Sequence, residues 1–218
     1  MICYGLIGYP VAHSKSPELF EQMFQKFDLK GREYRLFPLQ DPAKIYELAQ
    51  DQTLKGLNVT VPWKSSIINY LDDIDEKAKA IGAVNCISIE HTSGEPWLKG
   101  YNTDVMGFWE DLKAWGLPSH PKALVLGNGG ASKAVTFALE WANIPYQVLA
   151  RSPRNSMELD WAKAPWSIWR EANLIVHTTP VGMTGIRDRM PFVPKNGLDH
   201  QPRVYDLVYA PSETPFML

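Results

Sequence analysis

The sequence predicts an α/β protein with two domains: an N-terminal α/β lobe with a mixed sheet and a C-terminal lobe with a Rossmann-type sheet. Short apolar strands alternate with helical segments along the chain, as expected for parallel sheets. The alternation restarts at Lys122, where an apolar strand leads into a glycine-rich loop and a helix. A chain of 218 residues is long enough for two small domains. We place the boundary at the helix beginning at Asp104, which gives domains of residues 1–103 and 104–218.

In the N-terminal domain, parallel strands are expected to precede an antiparallel hairpin. Apolar runs bounded by glycine or proline predict strands, and apolar residues at helical spacing predict helices. The expected strands are residues 4–7, 34–39 and 56–61, and the expected helices are 16–27, 42–49, one beginning near Lys64, and 75–81. Residues 83–89 and 97–101 flank a loop rich in turn-forming residues, which predicts a β-hairpin.

The C-terminal domain is expected to follow a shortened Rossmann pattern. Its first helix, from Asp104 to Trp115, ends at a Gly-Leu-Pro sequence. The expected strands are residues 123–126, 146–150, 174–177 and 204–208, and a helix follows the glycine loop as far as Asn143. Small helices are expected within residues 152–171.

Composition narrows the class of protein. Hydrophobic residues make up 45% and charged residues 21%, as in ordinary globular chains. The formal charge of -2 and the pI of about 6.2 argue against nucleic acid or a membrane surface as a partner. Without a secretory leader or an apolar run of membrane-spanning length, a cytoplasmic protein is expected. Cys3 and Cys86 fall in strand-like segments, which favours small buried side chains over a disulfide, and no metal site is expected.

The glycine-rich loop contains the first chemical signal. Gly127-Asn128-Gly129-Gly130-Ala131 follows an apolar strand and opens a helix, so its backbone N–H groups and the helix N-terminus are suited to receive a phosphate. The alternative is a tight strand-to-helix turn without a ligand. The small side chains favour dinucleotide binding.

The residues at the end of the next predicted strand indicate whether NAD or NADP is the expected cofactor. An NAD site would place an acidic residue about 20 positions after the glycine loop, and none is there. The sequence has Arg151, Ser152 and Arg154 instead, which are suited to a ribose 2′-phosphate. NADP is therefore preferred to NAD, the alternative being an arginine pair exposed to water.

Several polar residues lie at the ends of predicted strands and helices. Thr60 and Lys64 follow a strand at the edge where open α/β sheets bind ligands. Ser14 and Ser16 precede a helix, and Ser16 on its own is best explained as its N-cap, with Pro17 in the first turn. Asn85 and Asp104 each fit ordinary turn chemistry equally well.

The order of these segments resembles the shikimate dehydrogenase family over the whole chain. The matching segments are HSKSP at 13–17, NVTVPWK at 58–64, IGAVN at 81–85, GYNTD at 100–104 followed by VMGF, GNGGAS at 127–132, TPVGM at 179–183 and YDLVYAPSETP at 205–215. Seven segments in the correct order make an accidental match implausible.

This resemblance implies a function and a set of roles. Members reduce 3-dehydroshikimate reversibly to shikimate with NADPH, in aromatic amino-acid biosynthesis. The resemblance makes residues 1–103 the substrate-binding and catalytic domain and residues 104–218 the NADP-binding domain. In a cleft between them, Lys64 would donate the proton and Asp104 would orient Lys64 and bind a substrate hydroxyl. The other implied substrate residues are Ser14 and Ser16 for the carboxylate, with Thr60, Asn85 and Tyr209. The implied cofactor residues are Gly127, Asn128, Gly129, Gly130, Ala131, Arg151, Ser152 and Arg154, with Glu76 and Leu207 as weaker contacts. A monomer or a homodimer is expected.

The chain departs from the family pattern at three places. Members usually have Asn-Arg-Thr where this chain has Ala150-Arg151-Ser152, so the arginine is kept and one hydrogen-bonding side chain is lost. His177 stands where members have asparagine, and with no partner motif nearby a structural role is favoured over catalysis. The chain stops where members continue into further helices, so the C-terminal helices are expected to be missing. Two alternatives therefore remain open: a weakened or silent family member that binds a shikimate-like ligand or NADP(H), and a quinate or shikimate dehydrogenase that uses NAD.

Overall fold

The computed structural model describes residues 1–92, 94–183, 198–209 and 211–217. Contacts between Cα atoms divide the chain into two compact units, Met1–Thr103 and Asp104–Leu218. Among the helices of the described residues, none is long and apolar enough to cross a membrane.

Unit 1 contains a six-stranded mixed sheet. Its strands are β1 (Ile2–Gly8), β2 (Arg32–Pro38), β3 (Leu54–Val59), β4 (Asp73–Ile74), β5 (Cys86–Thr92) and β6 (Glu95–Tyr101). They lie in the order β2-β1-β3-β5-β6-β4. Strand β1 is parallel to β2 and β3, whereas β5 is antiparallel to β3 and β6, because a short connection joins β5 to β6 as a hairpin. The predicted mixed sheet is confirmed.

The helices of unit 1 are α1 (Ser16–Lys26), α2 (Ile45–Ala49) and α3 (Glu76–Ile81), with 3-10 helices at Pro42–Lys44 and Ser66–Tyr70. Helix α1 packs on the sheet through Phe20, whose ring stacks on Tyr34 of β2 at 4.2 Å between centroids. The side chains of Ile45, Ala49 and Ile67 are fully buried beside the sheet. Cys3 is also buried, as expected, whereas Cys86 is half-buried, and both are free thiols.

Unit 2 contains a five-stranded parallel sheet in the order β11-β10-β7-β8-β9. The strands are β7 (Ala123–Leu126), β8 (Tyr146–Ala150), β9 (Glu158–Asp160), β10 (Leu174–His177) and β11 (Arg203–Asp206). The helices are α4 (Asp104–Ala114), α5 (Gly130–Trp141) and α6 (Trp166–Glu171), with a 3-10 helix at Trp161–Lys163. Every residue of β7 and β10 is buried, as expected for central strands of a parallel sheet. The predicted Rossmann-type sheet is confirmed.

Two local predictions in unit 1 are wrong. The helix expected near Lys64 is a single 3-10 helix that begins at Ser66, and Lys64 lies in the turn before it. Ile67 is buried there, and β-branched residues favour the α-helix only weakly. Ser16 is not an N-cap: α1 begins at Ser16, Lys15 is its N-cap, and no side chain caps the helix.

Candidate active site

The two serines of unit 1 are hydrogen-bonded to each other. The Ser14 hydroxyl donates to the Ser16 hydroxyl at 3.0 Å and accepts the Ser16 backbone N–H at 3.2 Å. On β2, the phenol of Tyr34 donates to Asn58 Oδ1 at 2.8 Å. Burial raises the pKa of Tyr34, and its interaction with Ser16 partly opposes that rise. Ser16 is the first residue of α1 and its hydroxyl accepts from Ser14, so it does not cap the helix.

Hydrogen bonds on both sides fix the turn that carries Lys64. The Thr60 N–H donates to the Ile7 carbonyl at 2.9 Å, which joins the end of β3 to β1. The Trp63 indole N–H donates to the Leu39 carbonyl at 2.7 Å, and the Lys64 carbonyl accepts the Val84 N–H at 2.7 Å. Lys64 itself is half-buried. The backbone at Lys64 is thus bonded to the segment that leads into Asn85.

Asn85 is buried and holds the chain one residue before Asp104. Its Oδ1 accepts the Thr103 N–H at 2.8 Å, and its Nδ2 donates to Thr103 Oγ1 at 2.9 Å. The backbone of Asn85 also bonds to the Val59 N–H at 2.9 Å and to the Tyr101 carbonyl at 3.0 Å. Asn85 therefore joins the ends of β3 and β6. Asp104 is half-buried and is the first residue of α4 in unit 2.

In unit 2, the glycine loop has the geometry of a phosphate cradle. Gly127 has a φ of 113°, and a Cβ there would lie 2.8 Å from Thr178 Oγ1, so only glycine fits without strain. Gly129 precedes α5, and a Cβ there would meet no atom within 4 Å, so the backbone is open on that side. No side chain caps α5. An open backbone and an uncapped helix N-terminus suit a dinucleotide phosphate.

The arginine-bearing turn, residues 151–154, follows β8 and bonds to the glycine loop. Arg154 Nη1 donates to the Asn128 carbonyl at 2.9 Å, and Asn128 Nδ2 donates to the Ser152 carbonyl at 3.0 Å. Arg151, Ser152 and Arg154 are all exposed. The predicted cofactor residues of the glycine loop and this turn are therefore brought together within one unit.

His177 at the end of β10 has partners that sequence reasoning missed. Its side chain is fully buried, its Nδ1 lies 2.8 Å from Asp206 Oδ1, and its Nε2 lies 2.6 Å from Thr179 Oγ1. Asp206 also accepts hydrogen bonds from the Thr214 hydroxyl at 2.5 Å and the Val208 N–H at 2.9 Å. Burial raises the pKa of Asp206, but these hydrogen bonds outweigh it and hold the pKa below its usual range. The sequence shows no partner motif near His177, and the structure supplies partners from a distant strand and from the following loop.

The remaining predicted residues lie apart from these clusters. Glu76 is exposed at the start of α3, and Asp75 caps that helix through the Lys77 N–H. The Leu207 N–H donates to the His177 carbonyl at 3.0 Å, so this backbone donor is used within the sheet. Tyr209 is 63% exposed, so its phenol lies at the surface of unit 2.

A cavity of about 300 Å³ opens on the sheet of unit 1. Its lining includes four aromatic residues, Tyr4, Phe20, Tyr34 and Tyr101, together with aliphatic, polar and charged residues of β3 and β5, Cys86 among them. Ser14, Thr60 and Lys64 are not among its lining residues. We therefore do not assign it to the predicted substrate.

Comparisons with known proteins decide the family. A domain model described as the shikimate dehydrogenase substrate binding domain matches residues 6–87. The shikimate dehydrogenase (NADP(+)) of Caldanaerobacter subterraneus is 37% identical over 236 aligned positions, which cover 98% of this chain and 80% of that protein. This chain belongs to the shikimate dehydrogenase family. The resemblance drawn from the seven sequence segments is thereby confirmed.

Solved structures of the family have the same fold. Shikimate dehydrogenase 1 from Peptoclostridium difficile matches with a TM-score of 0.83 at 32% identity, covering 100% of this chain and 81% of that one. The Thermus thermophilus enzyme in complex with NADP(H) and shikimate matches with a TM-score of 0.78 at 34% identity, covering 97% and 80%. The chain thus spans about four-fifths of the length of these shikimate dehydrogenases.

Proposed function

We propose that this family member is an NADP-dependent shikimate dehydrogenase that reduces 3-dehydroshikimate reversibly to shikimate. The observation that carries the proposal is the strand-end position of Lys64 on a turn whose backbone is bonded to the segment leading into Asn85. A match to shikimate dehydrogenases that covers 97–98% of this chain and 80% of theirs, one of them solved with NADP(H) and shikimate, supports the same activity.

The chemical role of Lys64 follows from charge balance in the reaction. NADPH, when bound, supplies a hydride to the ketone carbon. The C=O π bond breaks as the new C–H bond forms, and its electron pair remains on oxygen. The Lys64 ammonium donates a proton to that oxygen, which yields the alcohol, and solvent returns a proton to the amine. In the reverse direction, neutral Lys64 accepts the hydroxyl proton.

Substrate recognition is assigned to polar groups at the element ends. We assign the substrate carboxylate to the hydroxyls of Ser14 and Ser16. The ring hydroxyls are assigned to Thr60, Asn85 and Asp104, and Tyr209 is a further proposed contact. A site that hydrogen-bonds every hydroxyl discriminates strongly, because a missing hydroxyl leaves protein groups unpaired.

Cofactor recognition is assigned to unit 2. The glycine loop, residues 127–131, would hold the pyrophosphate at the N-terminus of α5. Arg151, Ser152 and Arg154 would hold the 2′-phosphate through charge-assisted hydrogen bonds. Glu76 and Leu207 remain weaker proposed contacts. A cytoplasmic location, the lack of a nucleic-acid partner and a monomeric or dimeric state also remain predictions.

The proposal is tested by NADPH oxidation with 3-dehydroshikimate in wild type, Lys64→Ala and Lys55→Ala. Lys55 is an exposed lysine of β3 and serves as the matched control. We expect Lys64→Ala to lower kcat by about 10²–10⁴-fold, the usual contribution of a general acid, with little change in KM. Lys55→Ala should retain wild-type kinetics. Full activity in Lys64→Ala would remove Lys64 from the mechanism, and saturable binding without turnover in wild type would favour the silent alternative.

A further inference from the structure

One carboxylate joins the glycine loop to the arginine-bearing turn. Glu158, the first residue of β9, is half-buried. Its Oε2 accepts Asn128 Nδ2 at 2.7 Å and the Arg154 backbone N–H at 2.9 Å. Its Oε1 accepts Asn155 Nδ2 at 3.4 Å. A single side chain thus bonds to both segments that are assigned to the cofactor.

Asn128 completes the network. The side-chain amide of Asn128 donates to Glu158 and to the Ser152 backbone carbonyl. The backbone carbonyl of Asn128 accepts a hydrogen bond from Arg154 Nη1. The Arg154 guanidinium and the Arg154 backbone are therefore both tethered, the first to Asn128 and the second to Glu158. An isolated exposed arginine would have no such restraint on its rotamers.

The pairing of β9 with β8 sets the position of Glu158. The two strands are parallel, with Glu158 opposite Val148 and Asp160 opposite Ala150, the residue before Arg151. The carboxylate of Asp160 bonds instead to the Ala162 N–H at 3.0 Å and to Lys163 at 3.2 Å. Of these two acids on one strand, Glu158 bonds to the cofactor segments and Asp160 to its own 3-10 helix.

We propose that Glu158 is a positioning residue that orders the arginine-bearing turn for the 2′-phosphate and so sets the selectivity for NADPH over NADH. The inference rests on the proposed function. The two cofactors differ only by the 2′-phosphate, so the part of the Glu158 network that orders Arg154 affects NADPH alone, whereas the part that reaches Asn128 in the glycine loop affects both cofactors. Loss of the whole network should therefore weaken the binding of NADPH more than that of NADH. A turn that is already ordered binds more tightly, because less freedom is lost on binding.

The test is calorimetric binding of NADPH and NADH to wild type, Glu158→Ala, Glu158→Gln and Asp160→Ala. We expect Glu158→Ala to weaken NADPH binding about tenfold, or about 1.4 kcal/mol, with a clearly smaller loss of NADH affinity. Glutamine keeps an acceptor oxygen where Asn128 and Arg154 donate, so Glu158→Gln should restore most of the NADPH affinity. Asp160→Ala should leave the NADPH-to-NADH ratio at the wild-type value.

Three results would overturn the inference. Equal weakening of both cofactors in Glu158→Ala would mean a general structural role, and tighter NADPH binding in Glu158→Gln would mean that the carboxylate acts by repelling phosphate. Wild-type protein that binds neither cofactor would contradict both this inference and the proposed function. NADPH binding without turnover of 3-dehydroshikimate would contradict the proposed function alone, because the binding measurements still decide the role of Glu158.

Discussion

Removing the Asp206 carboxylate should destabilise unit 2 more than any ordinary surface change. Asp206→Ala deletes the acceptor of three hydrogen bonds and leaves the fully buried His177 ring with Thr179 alone of its two partners. Each of these hydrogen bonds contributes about 1–1.5 kcal/mol net, so the loss of all three should cost about 3–5 kcal/mol of the free energy of unfolding. With an m-value of about 2 kcal/mol/M, the urea midpoint should fall by about 1.5–2.5 M. Tryptophan fluorescence is suited to the assay because Trp161 and Trp169 are buried in the same unit.

A double-mutant cycle separates this pair from general damage to the core. The partner substitution is His177→Asn, because asparagine is the residue expected at this position in the family. If the Asp206 carboxylate acts through His177, Asp206→Ala should cost about 1–3 kcal/mol less in the His177→Asn background than in wild type. Equal costs in the two backgrounds, within about 0.5 kcal/mol, would refute the reasoning.

Two further predictions concern acid stability and the glycine loop. The pKa of Asp206 is lowered in the folded state, so its contribution to stability is full above the unfolded value of about 4 and is lost as the pH falls through the folded value. Asp206→Asn should therefore flatten the dependence of the urea midpoint on pH in that range, and an unchanged profile would contradict the assignment. Gly127→Ala should cost about 1–3 kcal/mol of stability because its φ is positive and its Cβ would clash, whereas Gly129→Ala should unfold like wild type but bind NADPH more weakly. Equal stability losses in the two glycine variants would rule out this distinction.

Sequence patterns predicted the elements that are long or strongly apolar. The central strands β7 and β10 are short and apolar except for His177 at the end of β10, and their positions were predicted without error. The strands β4 and β9 were missed because two or three residues are too few to show a period. Strand β9 forms only because parallel pairing with β8 satisfies its backbone, which is a tertiary effect.

The sequence predicted that the candidate site residues lie at the ends of strands and helices. It did not predict which side chains are their hydrogen-bond partners. The family resemblance predicts Lys64, Asn85 and the glycine loop as site residues from sequence order, and their roles stay predictions. It could not identify Thr103 as the partner of Asn85, or Asp206 as the partner of His177 at a separation of 29 residues. The second pair depends on the register of β10 and β11, which places these two residues directly opposite each other. A single sequence contains no direct signal for that register.

Glu158 and Asp206 are both carboxylates that accept hydrogen bonds, but they differ in burial and therefore in their proposed roles. Each carboxylate lies on a strand of the same sheet, Glu158 at the start of β9 and Asp206 at the end of β11, and each accepts hydrogen bonds from a neighbouring segment. The side chain of Asp206 is only 3% exposed, so removing its carboxylate leaves buried polar groups unpaired and lowers the free energy of unfolding. Glu158 is half-buried beside exposed arginines, where water can replace a lost hydrogen bond at little cost in stability. We therefore expect substitutions of Glu158 to change the selectivity for NADPH over NADH with little loss of stability. Substitutions of Asp206 should lower the stability of unit 2 with little change in that selectivity.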